Sequence, residues 1–204
     1  MKSSFIQIII VPLLLIFSNN LRAQEVTLDG EIYEYATYYV NSFDFNTGAT
    51  NVQIFRYSLS SSFYPVSLKV MFRASMLSPS LGINSELIIS EVITDEFELQ
   101  APLILDNRDI STESTTIYDT DSPPNAIQLG GQLTESLDPS QADAILQSVL
   151  ATGTIAAGEY TFSIEILSSS DQILASDFKT IVVETPSSID LESPGGVLSD
   201  TTNN

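Results

Sequence analysis

The stretch "AAGEYTFSIEILSSSDQILASDFKTIVVE", residues 156–184, decides the fold class. Tyr160, Phe162, Ile164 and Ile166 alternate with Thr161, Ser163 and Glu165, so an extended strand buries one face and wets the other. Ser168 to Asp171 supply turn-forming side chains, and a second β-branched segment, Ile173 to Val183, returns with Leu174, Phe178 and Val182 spaced four apart on one face. Polar Ser176 and Thr180 between them point to a twisted or bulged return strand. With Gly158 before it and Pro186 after it, the unit reads as a β-hairpin.

The same period of two recurs upstream. In "VSLKVMFRA", Val66, Leu68, Val70, Phe72 and Ala74 share a face, with Lys69 and Arg73 opposite. Further strands are expected at 32–40, 53–59, 86–93, 97–99 with 103–105, and 115–118, separated by Ser, Asn, Gly and Pro clusters. One helix is expected, at about 139–151. Asp138 caps it, Pro139 takes its first position, Gln141 closes a capping box and Gly153 stops it, while Ala142, Ile145, Leu146, Val149 and Leu150 form its apolar stripe. The pattern predicts a mainly β chain, an antiparallel immunoglobulin-like β-sandwich with one short helix.

Residues 1–23, "MKSSFIQIIIVPLLLIFSNNLRA", have the layout of a secretory signal peptide: Lys2, an apolar run from Phe5 to Phe17, and a small residue at Ala23. The run is shorter than the roughly 20 apolar residues of a membrane-spanning helix, and Pro12 interrupts it. The expected product begins at Gln24 and is exported to the periplasm, the cell surface or the medium, with no membrane insertion after cleavage and no cysteine to carry a lipid. Residues 24–192 are expected to form the sandwich, and 193–204 a disordered tail or linker, or the start of a further region.

Charge is the strongest compositional signal. The chain holds 26 acidic and 7 basic residues. Loss of Lys2 and Arg22 with the leader leaves five basic residues and a net charge of −21. Such a surface repels phosphate backbones and anionic head groups, which argues against nucleic acid as a partner and leaves a protein or polysaccharide of the cell envelope. The absence of His and Cys excludes the Ser-His-Asp triad, thiol catalysis, ordinary zinc sites and ligation of haem or iron–sulfur clusters by those residues. Ser176 and Lys179 stand three apart in "SDFK", but on a strand that spacing points them to opposite faces.

Two segments, "LILDNRDIS" and "ATGTIAAGEYTFSIEIL…IVVETPSSIDLESPGG", resemble uncharacterised exported proteins of marine Bacteroidota-type bacteria, in which a G-x-Y-x-F-x-I/V strand and a closing P-x-x-I-x-L-x-S-P-G precede immunoglobulin-like modules. The resemblance implies a surface or periplasmic β-sandwich and carries over no functional residue.

The expectation is therefore a non-catalytic exported structural or interaction module, with no enzymatic activity and no required cofactor. The alternative is a calcium-dependent carbohydrate-binding module, and a carboxylate-based glycoside hydrolase stands third. Oxygen ligands for calcium would come from "LDNRD" and "YDTDSPPN", through Asp106, Asp109, Asp119 and Asp121, if the two loops meet. Turn formation and strand capping are the competing use of those residues. In "EIYEYATYYV", Tyr33, Tyr35 and Tyr39 fall on one face of the expected strand, where they stack on a sugar ring or simply pack the sheet.

Overall fold

The computed structural model describes residues 25–38, 50–152 and 155–184. Among these, eleven strands follow in chain order: β1 (Val26–Ile32), β2 (Phe55–Ser61), β3 (Val66–Ser78), β4 (Ile83–Thr94), β5 (Phe97–Leu99), β6 (Leu103–Asp106), β7 (Thr115–Tyr118), β8 (Ala126–Leu129), β9 (Gly131–Ser136), β10 (Gly158–Ser168) and β11 (Ile173–Val183). The one α-helix among the described residues, α1 (Pro139–Thr152), joins β9 to the β10 segment. All strand pairs are antiparallel. They make a three-stranded sheet, β1-β2-β6, a larger sheet, β11-β10-β3-β4-β9 with β5 added on β3, and a β7-β8 ribbon.

The period of two explains why these sheets share a core. Val66, Leu68, Val70, Phe72 and Ala74 of β3 are buried, as are Tyr160, Phe162, Ile164 and Ile166 of β10, and the register sets Phe162 beside Ala74 and Ile164 beside Phe72. The smaller sheet offers Phe55, Tyr57 and Leu59 from β2 and Leu103 and Leu105 from β6 to the same cluster. Phe55 meets Phe72 across the interface with ring centroids 5.5 Å apart and planes tilted by 51°. Side chains of both antiparallel sheets thus meet in one buried cluster. Close approach of β1 and β2 depends on Gly30, where an added Cβ would sit 2.1 Å from the Arg56 carbonyl oxygen.

The hairpin forms as its sequence predicts, with β10 and β11 paired and a register shift at Ile166/Leu167. Ser168 Oγ accepts the Gln172 amide at 3.1 Å, Asp171 takes the left-handed φ of 61° that acidic and amide residues tolerate, and its carboxylate receives Lys69 Nζ at 2.6 Å. The return strand, however, turns its apolar row outward. Leu174 packs against the core, but Phe178 is 70 % and Val182 62 % exposed, because the inward positions of β11 are Ala175, Asp177, Lys179, Ile181 and Val183. Ser176 and Lys179 do lie on opposite faces, their partners being Glu165 and Phe162.

The segment expected as a strand at 32–40 is different. β1 ends at Ile32, and Glu34–Tyr38 is a 3-10 helix, closed by a bond from the Ala36 amide to the Tyr33 carbonyl at 3.1 Å. Small Ala36 and Thr37 enter the core in place of an alternating aromatic face. The strand signal lay just upstream, where Val26, Leu28 and Ile32 alternate with Thr27, Asp29 and Glu31. Two strands not expected from the pattern, β8 and β9, are only four and six residues long, too short for alternation to announce them.

Helix α1 begins as its sequence dictates. Asp138 Oδ1 accepts the amides of Ser140 and Gln141, each at 2.9 Å, and Gln141 Oε1 accepts the Asp138 amide at 3.1 Å, a reciprocal capping box. Its buried stripe is narrower than expected: Ala142 and Ile145 are buried and Leu146 half-buried, whereas Leu150 is 83 % exposed. The Val149 side chain, Gly153, Tyr39, the leader and everything after Glu184 lie outside the described residues. Asp138→Ala is expected to lower the melting midpoint by a few degrees and to reduce the helical signal in circular dichroism, because two amides lose their acceptor.

One core hydroxyl has the opposite effect. Ser90 is fully buried on β4, and its Oγ is the only buried side-chain polar atom without a hydrogen-bond partner among the described residues. Ser90→Ala is expected to raise stability by about 1 kcal/mol in urea titration, since it removes an unsatisfied group at little loss of volume.

Candidate functional site

Three groups of side chains bear on function, and the two acidic loops come first. Asp106 ends β6 and caps the short 3-10 turn Asn107–Asp109. Arg108 grips its carboxylate with Nε at 2.9 Å and Nη2 at 2.7 Å, Gln53 Nε2 donates at 2.5 Å, and the Arg108 amide adds a bond at 3.0 Å. Asp109 Oδ2 accepts the Asp106 amide at 3.3 Å, completing a capping box. Asn107 is buried between them, accepting from the Ile54 amide at 2.7 Å and donating to the Val52 carbonyl at 2.8 Å.

Asp119 anchors the second loop by a similar logic. Its Oδ1 accepts the Asn125 amide at 2.8 Å and the Asp121 amide at 3.2 Å, and Oδ2 takes Asn125 Nδ2 at 2.7 Å. Asp121 stays exposed and accepts only the next amide, from Ser122, at 2.8 Å. The backbone of Asp119 bridges to Leu103, at the far end of β6 from Asp106. Three residues of strand, about 10 Å, therefore separate the two turns. Among the described residues no three acidic side chains come together as a group that could hold a metal ion.

Environment pulls these carboxyls in opposite directions. Burial raises the Asp106 carboxyl, but the Arg108 and Gln53 hydrogen bonds outweigh it and hold the group below the usual carboxylate range. Asp119 is likewise lowered, since bonds from Asn125 and the Asp121 amide overcome desolvation, and Asp138 is lowered by Ser140 and Gln141. Asp109 goes up, through burial and then the charge of Asp106. A lowered carboxyl adds stability above its unfolded value near 3.9, and that stability is lost as pH falls through the folded value. Asp109 has the reverse sign, favouring the folded state below its unfolded value and losing that preference as pH rises. The melting midpoint is thus expected to fall most steeply below about pH 4. Asp109→Asn is expected to raise the midpoint at pH 7 and leave it unchanged at pH 3.

The tyrosines form the second group. Tyr33 and Tyr35 stack with centroids 5.2 Å apart and planes 12° from parallel. Tyr35 is 46 % exposed and Tyr33 half-buried. They reach this arrangement through the 3-10 turn and not along a strand face, and each ring covers one face of the other.

The third group was not evident in the sequence. Across the outer face of the larger sheet runs a shallow groove of about 240 Å³, lined by Arg73, Ser75, Glu86, Ser163, Ser176 and Phe178 among others. Phe178 stands on β11, which pairs with β10 alone and so forms the sheet edge. Two polar contacts pin that edge to the smaller sheet: the Tyr57 hydroxyl donates to Asp177 Oδ2 at 2.5 Å, and Lys179 Nζ donates to the Ile32 carbonyl at 3.1 Å. Burial, reinforced by the Asp177 bond and charge, pushes the Tyr57 hydroxyl far above its ordinary value, so it remains a donor throughout the stability range. Inward-pointing charges of this kind also protect an edge strand from pairing with another chain. The alternation around Asp177 and Lys179 carried the signal for an outward Phe178, but alternation alone does not say which face is inside.

No protein-family model, no curated protein and no solved structure matches this chain.

Proposed function

We propose that the chain is a non-catalytic exported module, an immunoglobulin-like sandwich that serves as a structural or interaction element of the cell envelope or the extracellular space. The observation that carries this reading is the use made of the acidic side chains in the loops. Asp106, Asp109, Asp119 and Asp138 each hold backbone amides or a neighbouring side chain, as folding requires. The exposed Phe178 and Val182 on an edge strand supply surface for contact.

Export is tested by fusing residues 1–23 to a reporter and locating it; a reporter retained in the cytoplasm would overturn that part. Turnover of chromogenic glycosides by the purified chain, lost on substituting one acidic residue, would replace the reading with an enzyme. Thermal unfolding with millimolar calcium and then with chelator tests the calcium alternative. A chelator-reversible rise in midpoint, abolished by Asp119→Ala and not matched by magnesium, would convert the module into a calcium-stapled one.

A further inference from the structure

We propose that the groove on the outer face of the larger sheet binds a neutral polysaccharide, with Phe178 as its stacking platform. This rests on the interaction-module reading and names the ligand of that module. The Phe178 ring is 70 % exposed, yet its strand is tethered on the inward side at both neighbouring positions, by Asp177 to Tyr57 and by Lys179 to the Ile32 carbonyl. The ring is thereby presented on a fixed backbone, which reduces the ordering lost on binding. The negative face of an aromatic ring attracts the weakly positive C–H groups on one side of a pyranose.

The rest of the groove suits a polyol. Thr161, Ser163 and Ser176 offer hydroxyls that donate or accept, Glu86 and Glu165 accept, and Arg73 donates. Arg73 is not an anion site, because its Nε already gives 2.6 Å to Glu91 Oε2, which neutralises its charge locally. With 26 acidic against 7 basic residues, the chain repels a uronic or sulfated polymer and also a second copy of itself. A neutral sugar chain meets no such penalty. The groove is open rather than enclosed, so it fits an internal stretch of a polymer.

The test is affinity electrophoresis of the purified chain in gels containing a neutral β-glucan, a xylan or a mannan, with a polyuronate as the charged control. Retardation by at least one neutral polymer and not by the polyuronate is expected. Phe178→Ala should weaken that retardation about tenfold with the melting midpoint unchanged, and Phe178→Tyr should retain it. No retardation by any of the three neutral polymers would overturn the proposal. Retardation untouched by Phe178→Ala but lost in Tyr35→Ala would move binding to the tyrosine stack, overturning this site while leaving the interaction module standing. Shortening of the polymer by the protein would overturn the non-catalytic reading as well. Self-association in sedimentation equilibrium, abolished by Phe178→Ala, would make a second copy the occupant and would also overturn the proposal.

Discussion

Replacing Phe162 with alanine is expected to lower the free energy of unfolding by about 3–5 kcal/mol, a large part of the 5–15 kcal/mol typical of a folded domain. Phe162 is fully buried on β10, with Ala74 of β3 on one side and Lys179 of β11 on the other. Small Ala74 gives the ring its space, so truncation leaves a hole that neighbours on two hydrogen-bonded strands cannot move to fill. The same substitution at Phe178, on the other strand of the hairpin, is expected to stay within about 0.5 kcal/mol, because that ring faces solvent. Urea titration of both variants checks the pair. An unchanged midpoint for Phe162→Ala, or equal losses at the two positions, would mean that the inside of the hairpin has been assigned to the wrong face.

That contrast marks the limit of what the sequence discloses. Alternation placed β3 and β10, through Val66 to Ala74 and Tyr160 to Ile166, because a period of two sustained over seven to nine residues has no helical interpretation. Local chemistry was equally legible: the Asp138 and Gln141 capping box involves groups only three residues apart, so no tertiary contact is needed to specify it. The inward face of an edge strand is another matter. In β11 both faces mix apolar and polar residues, and the choice was made by Tyr57 and the Ile32 carbonyl, 120 and 147 residues away, which give Asp177 and Lys179 partners inside. Tertiary demand likewise overrode the strand propensity of 33–38, where the core accepted Ala36 and left Tyr35 outside. The groove was illegible for the same reason. It assembles side chains from β3, β4, β10 and β11, and strand order cannot be read from alternation.

Asn107→Ala is expected to cost about 3–5 kcal/mol, more than removal of any single acidic residue in the two loops. Asn107 is almost fully buried, and its amide does the work of a missing strand: Oδ1 accepts from the Ile54 amide at 2.7 Å and the Phe55 amide at 3.3 Å, and Nδ2 donates to the Val52 carbonyl at 2.8 Å. These groups precede β2 and enter it before its backbone finds partners in β1 and β6. Alanine would leave two buried amides and one half-buried carbonyl unsatisfied, each buried group at a cost of about 1–3 kcal/mol before relaxation. Asn107→Asp keeps the acceptor but loses the donor and buries a charge, so its destabilisation should be larger at pH 7 than at pH 4, where the carboxyl regains a proton. A calcium site in the same loop makes the opposite demand. If the loop served a cation, Asp106→Asn and Asp109→Asn would be the damaging changes and only with calcium present, whereas Asn107→Ala would be mild. Unfolding midpoints of these variants at two pH values, with and without chelator, therefore decide whether "LDNRD" is a ligand loop or, as its hydrogen bonds indicate, the element that seats the start of β2.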